Sequence, residues 1–458
     1  MKNIKNVTLF LIFQFFLLPL FSENQTAEKL VLKNSIPVYV KKNNASEMTA
    51  VYMVIKGGVQ YLTEETSGLE DAALSFMQMG SKKYSYEELK TFFYKTKGGF
   101  KNYSINDGSV FGFECISKYF TETFERFSDS FFNPVFNEKE YNLLMQSYRQ
   151  NVVQTMNNPE SMLFYYINKI VYAQHPYASS TYVTEESLEN ITINAIKKHY
   201  ETLLDSRRIS FVVSGNVETE NLYALLNNSF GKMTPLKTEL KDDFIPDIKI
   251  KGKPVVLMHE NAEGASQVVR VFVSPKVSSK DYPVSRLAAS IFSDVLYNVV
   301  REKYGICYTP VTEVSSSDAP FGYELFYRTT DLSKLSTALD EATSFMENGN
   351  LICGKDKNGS FITENLSSRL EGYKNSYINK KYATQATCSG VASRMAASLL
   401  QFGDVTSADS LTEIVKNCTV DDVLSVFKKY WLSKEDLWFC VTSPDSFNET
   451  EKILEKIN

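Results

Sequence analysis

The sequence predicts an α+β protein made of two related halves, and three observations carry that prediction. Short β-rich apolar runs such as Thr49–Lys56 and Ile209–Ser214 alternate with longer stretches whose apolar residues recur at helical spacing. The run Thr192…Lys197-Lys198-His199-Tyr200…Ile209–Ser214 is answered by Thr419…Lys428-Lys429-Tyr430…Leu437–Thr442, each a capped helix leading into a strand. Between the two copies, residues 234–254 are rich in Lys, Asp and Pro and carry no period, so the linker belongs there. The halves are then 28–233 and 255–458.

Composition narrows the class of function. The chain has 458 residues with 43% hydrophobic and 22% charged content, enough to build two separate cores. A net charge of −5 and the lack of any long Lys or Arg run give no surface for nucleic acid. The abundant aromatics, 31 Phe and 27 Tyr, are expected mainly in cores, with an aromatic peptide groove as the alternative.

At the N-terminus, Lys2 and Lys5 precede the apolar run Val7–Phe21, which falls short of the ~20 residues of a membrane span. Residues 1–22 therefore read as a secretory signal cut near Ser22, with an uncleaved anchor as the other reading. The mature chain is expected to be exported, periplasmic or secreted, with no membrane association after cleavage. Six cysteines without a CxxC make no disulfide framework, so buried free thiols are the default, although one or two bridges are open to an exported chain.

Along the chain, Glu28–Lys42 reads as two strands around Asn34-Ser35, and Thr49–Lys56 as a buried strand. Thr66–Ser81 starts at a Ser-Gly breaker and ends at Gly80-Ser81, which predicts a helix of about three turns. Ser85 and Glu88 form a capping box for a helix to about Lys95. Ser109–Ile116 is an alternating strand, and Phe120, Phe124, Phe127 and Phe131 give Tyr119–Asn133 an apolar helical face. A long helix follows over Glu138–Met156. In the second half, Val255–His259 and Gln267–Ser274 read as strands, while Pro283–Glu302, Phe361–Asn379, Ala383–Phe402 and Asn448–Ile457 read as helices.

Several of these segments, in this order, resemble the pitrilysin/insulinase family of metallopeptidases, which includes the mitochondrial processing peptidases. Thr66–Ser81, TSGLEDAALSFMQMGS, resembles the family's active-site segment, roughly GLAHFLEHMLFMGS, whose HxxEH motif puts two zinc-binding His and a catalytic Glu on one helix. Laid without gaps, those three positions fall on Asp71, Ser75 and Leu74. Asp71 offers one oxygen donor, Ser75 is a poor zinc ligand, and Leu74 moves no proton. The chain holds only three His, at 175, 199 and 259, and none forms an HxxEH or HxxxH pair. The family draws its third ligand from a region where counting back from Pro159 gives Gln150 and Asn151, both amides.

The resemblance also assigns binding residues. Gly98–Ser104 matches the family's GGxxNAxT segment beside the bound peptide and places Asn102 at its Asn, although such a turn also serves simply to reverse the chain. VVREKYGICYTP resembles REKRGLAYSV, which holds the substrate backbone through an Arg and a Tyr seven residues later, here Arg301 and Tyr308. The alternative for this pair is a surface ion pair and a packed ring. The match between Tyr172 and Met233 is close, with His175 in a His-Pro turn.

The resemblance implies two homologous metallopeptidase-like domains, each with helices on one face of a mostly antiparallel sheet. It further implies a non-catalytic subunit that supplies peptide binding to a catalytic HxxEH partner in a heterodimer. The chain then needs no cofactor, and zinc is expected only in the partner. Two other readings stay open: a scaffold or peptide-binding protein without a peptidase partner, and a self-sufficient zinc metalloendopeptidase.

Overall fold

The computed structural model describes residues 27–241 and 244–457, so the expected signal segment 1–22 lies outside the described residues. In the first half the chain forms β1 (Glu28–Val31), β2 (Pro37–Lys42), β3 (Met48–Lys56), α1 (Leu69–Met77), α2 (Tyr86–Thr96), β4 (Gly99–Ile105) and β5 (Gly108–Ile116). Then come α3 (Phe120–Phe132), α4 (Glu138–Asn157), α5 (Pro159–Val171), α6 (Ile193–Leu203), β6 (Ile209–Gly215) and α7 (Thr219–Asn228). The second half runs through β7 (Val255–Met258), β8 (Ser266–Val273), α8 (Asp281–Leu296), a π-helical turn (Tyr297–Lys303), β9 (Thr309–Val314), β10 (Phe321–Thr329) and α9 (Leu335–Glu347). It closes with β11 (Asn350–Lys355), β12 (Phe361–Asn365), α10 (Leu366–Thr384), α11 (Cys388–Phe402), α12 (Ser407–Asn417), α13 (Val420–Trp431), β13 (Asp436–Thr442) and α14 (Phe447–Ile457).

Apart from the edge strand β1, the two sheets share one topology. The first has the order β1-β2-β6-β3-β5-β4 and the second β7-β13-β8-β10-β9. In each, a single parallel pair, β2 with β6 or β7 with β13, sits among antiparallel neighbours. The helix before β6 and the helix before β13 are capped by Thr192 and Thr419, whose hydroxyls accept from Ala195 N and Asp422 N. The repeat seen in the sequence is therefore a repeat of the fold.

The sheets differ from the expectation of helices on one face only. Along β3, Val51, Met53 and Ile55 pack with Phe113, Phe127 and Phe230 into the core of the first half. The alternate residues Ala50, Tyr52 and Val54 pack instead against Ala392, Met395, Ala396 and Leu399 of α11, a helix from the second half. The converse holds for β8 and β13: Val269, Val271, Phe439 and Val441 are covered by Leu163, Ile167 and Val171 of α5, from the first half. Period-two alternation explains the continuous apolar character of these strands, since both faces are buried. Each half lends the other one helix.

The described residues of the expected linker form no regular element, yet it is not a free tether: Ile245, Ile248 and Ile250 are buried in the core that α5 shares with the second sheet. Two further segments depart from the sequence reading. Phe361–Asn365 is a strand paired with β11, and the helix expected from Phe361 begins at Leu366. The helix expected over Pro283–Glu302 changes to π geometry at Tyr297. The loop joining α3 to α4 spans 133–137, whereas the matching link between α9 and α10 carries the β11–β12 hairpin.

Candidate functional site

α1 is fixed at its start by a close approach. Gly68 has φ 76°, and a Cβ there would lie 2.2 Å from Val183 N, so only glycine fits. Its N–H donates to Ser180 O at 3.0 Å, and Ser67 Oγ accepts from Ser180 N at 2.9 Å. The inward side of the helix, Ala72, Ala73, Leu74, Phe76 and Met77, is fully buried. Leu74, where the family motif has its Glu, is part of that core, with 0% exposure.

Asp71, Ser75 and Gln78 follow at i, i+4 and i+7, half-buried on one side of α1, and they are joined by hydrogen bonds. Tyr148 Oη donates to Asp71 Oδ2 at 2.8 Å. Asn102 Nδ2 reaches Ser75 Oγ at 3.2 Å and Asp71 Oδ1 at 3.5 Å, and Gln78 Nε2 donates to Asn102 Oδ1 at 2.7 Å. Burial raises the Asp71 carboxyl above its ordinary range, partly offset by the Tyr148 bond, with the Glu70 carboxylate adding to the rise. One engaged carboxylate, one hydroxyl and two amides do not fit zinc, which takes thiolate, imidazole and free carboxylate donors.

Asn102, assigned by resemblance, thus lies against the positions that replace the zinc motif. Gln150 and Asn151 do not: both are exposed, and neither bonds to α1. The side chain of α4 that does reach α1 is Tyr148, which is 7% exposed. Gln150 and Asn151 lie on the same helix as Tyr148, two and three positions after it. Tyr148 gives no signal of its own in the sequence, whereas Gln78 is visible as the next step of the Asp71–Ser75 stripe.

Beside Asp71, Glu70 is 2% exposed and anchors the first turn of α1. Ser109 Oγ donates to its Oε1 at 2.5 Å, while His199 Nε2 and Arg208 Nη2 approach its Oε2 at 3.4 and 3.5 Å. Burial alone would raise this carboxyl, but the bond from His199, the Arg208 charge and the Ser109 bond outweigh it and hold the group below its ordinary range. The other two histidines make turns: Nδ1 of His175 and of His259 accepts from the N–H two residues on, and Nε2 donates to Pro246 O or Met156 O.

In the second half the π-helical turn presents Arg301 against two phenol rings. Its guanidinium carbon lies 4.8 Å from the Tyr297 ring centre and 4.9 Å from that of Tyr308. Its one ion pair among the described residues is Nε to Glu302 Oε1 at 3.6 Å. Tyr308 is 60% exposed, immediately before β9. Arg301 and Tyr308 are therefore brought together as a surface pair, and Tyr308 is not packed. Among the described residues no hydrogen bond or ion pair links this pair to the Asp71 cluster.

All six cysteines are free thiols, five of them buried. No described helix is long and apolar enough to cross a membrane.

Comparison with known proteins agrees with this architecture. Residues 37–185 match the family model described as insulinase (peptidase family M16), and residues 190–348 match the one described as the peptidase M16 inactive domain. A Rickettsia felis protein described as an uncharacterized zinc protease is 21% identical over 417 residues, covering 88% of this chain and 94% of its own length. The crystal structure of a protease from Helicobacter pylori has a TM-score of 0.79 at 15% identity, covering 91% of this chain and 99% of that one. The periplasmic protease PqqL from Escherichia coli gives a TM-score of 0.73 at 15% identity, over 92% of this chain and 46% of its own. With the two family models matching in order from 37 to 348, the chain belongs to the insulinase family of peptidases, M16, as a member without the HxxEH zinc motif.

Proposed function

We propose that this chain is the non-catalytic subunit of an exported M16 peptidase and supplies polypeptide binding to a partner subunit that carries HxxEH. One contrast carries the reading. The two α1 positions that stand for the motif's histidines, Asp71 and Ser75, are tied into a hydrogen-bond network, while Arg301 and Tyr308 stay at the surface with donor groups to spare. A guanidinium fork and a phenol are suited to holding the carbonyls of an extended peptide. The apolar run Val7–Phe21 supports export, as does the periplasmic location of PqqL.

In this reading the purified chain holds no zinc of its own and cleaves no peptide, and mixing it with the HxxEH partner restores cleavage. Arg301→Ala weakens that restored cleavage. Metal analysis of the isolated chain, followed by peptide hydrolysis with and without the partner, is the test. Full cleavage by the partner alone would remove the proposal in favour of a scaffold role. Tightly held zinc together with chelator-sensitive hydrolysis by the lone chain would establish the self-sufficient peptidase instead.

A further inference from the structure

We infer that Tyr297 is a positioning residue for Arg301, an inference that rests on the binding role proposed for Arg301 and Tyr308. Three observations converge on it. The helix carrying Arg301 leaves α geometry at Tyr297, and Tyr304 N bonds back to Val299 O at 3.0 Å, the five-residue step of a π-helix. Tyr297 and Arg301, four residues apart, share a face of the turn with the guanidinium carbon over the Tyr297 ring at 4.8 Å, and the same carbon lies over the Tyr308 ring at 4.9 Å. The guanidinium thus contacts the faces of two rings.

Its terminal nitrogens donate to no other described side chain or carbonyl, so its edge is left for a ligand. An unrestrained arginine loses rotamer freedom when it binds. Stacking removes that loss beforehand. Tyr297 is only 37% exposed and donates no hydrogen bond among the described residues, so its ring, rather than its hydroxyl, is the working part.

The test uses the full chain and two readouts. One is the rate at which phenylglyoxal modifies Arg301, followed by mass spectrometry. The other is the affinity for a fluorescein-labelled, reduced and carboxymethylated lactalbumin, an unfolded polypeptide. Tyr297→Phe is expected to match the parent in both. Tyr297→Leu is expected to speed modification and weaken binding, each by about threefold, as loss of one exposed cation–π contact implies. In an Arg301→Ala background it adds nothing to the binding loss. Modification at the parental rate in Tyr297→Leu would overturn the inference, and so would an equal further loss of binding once Arg301 is gone. If Arg301→Ala binds as well as the parent, the functional reading fails, yet the modification rates still decide whether Tyr297 holds the guanidinium.

Discussion

Tyr148 donates its phenol proton to Asp71 across 2.8 Å, and this bond ties α4 to α1 beside Ser75 and Asn102. Asn102 brings in β4 through Ser75 and Asp71. Tyr148→Phe leaves a half-buried carboxyl with one donor fewer and is expected to cost about 1–3 kcal/mol of stability. Chemical denaturation of the two proteins measures it, and addition of a chelator should leave both midpoints unchanged.

Leu74 predicts that the zinc motif is not recovered by three substitutions. A glutamate introduced there would sit at a position with 0% exposure among apolar neighbours. Burying that group without a partner costs several kcal/mol. The triple variant Asp71→His, Leu74→Glu, Ser75→His should melt well below the parent and show no peptide hydrolysis with added zinc. A stable, active variant would contradict the packing described.

Asp107 gives a pH signature. It lies in the β4–β5 turn and accepts the Tyr177 phenol proton, and burial, with a smaller push from Asp318, raises its pKa from 3.8 to about 6 despite that bond. A carboxyl raised on folding binds more protons folded than unfolded. Its share of stability is therefore greatest below the unfolded pKa and falls as pH rises towards about 6. The loss is on the order of 3 kcal/mol. Asp107→Asn should remove that part of the pH dependence, so the gap between variant and parent in denaturation midpoint should widen from pH 4 to pH 7 and then level off.

The exchange of α5 and α11 predicts that neither half is stable alone. Residues 27–254 without α11 would expose Ala50, Tyr52 and Val54, and residues 255–458 without α5 would expose Val269, Val271 and Phe439. Each fragment should aggregate when expressed singly, whereas co-expression should give a soluble pair by gel filtration. Within the intact chain, Leu163→Ala is expected to cost about 2–5 kcal/mol, the range for a large core truncation.

The sequence was readable where one element decides its own structure. The Ser85–Glu88 capping box, the Phe120–Phe131 face and the paired Thr192 and Thr419 caps are local signals, and each appears as expected. The Asp71, Leu74 and Ser75 positions were visible for the same reason, as one helix laid on a motif. What escaped was set by distant partners. Nothing near Tyr148 says that its hydroxyl meets Asp71, and nothing near α5 says which sheet it covers. Phe361–Asn365 has helix-compatible spacing but pairs with β11, because a strand partner outweighs weak local preference.

Because α11 ends only at Phe402, a ribosome has released most of the chain before the first sheet can find its missing cover. Helix α5 waits longer still, for β13 at 436–442. Folding therefore has to finish late, with both halves completed together.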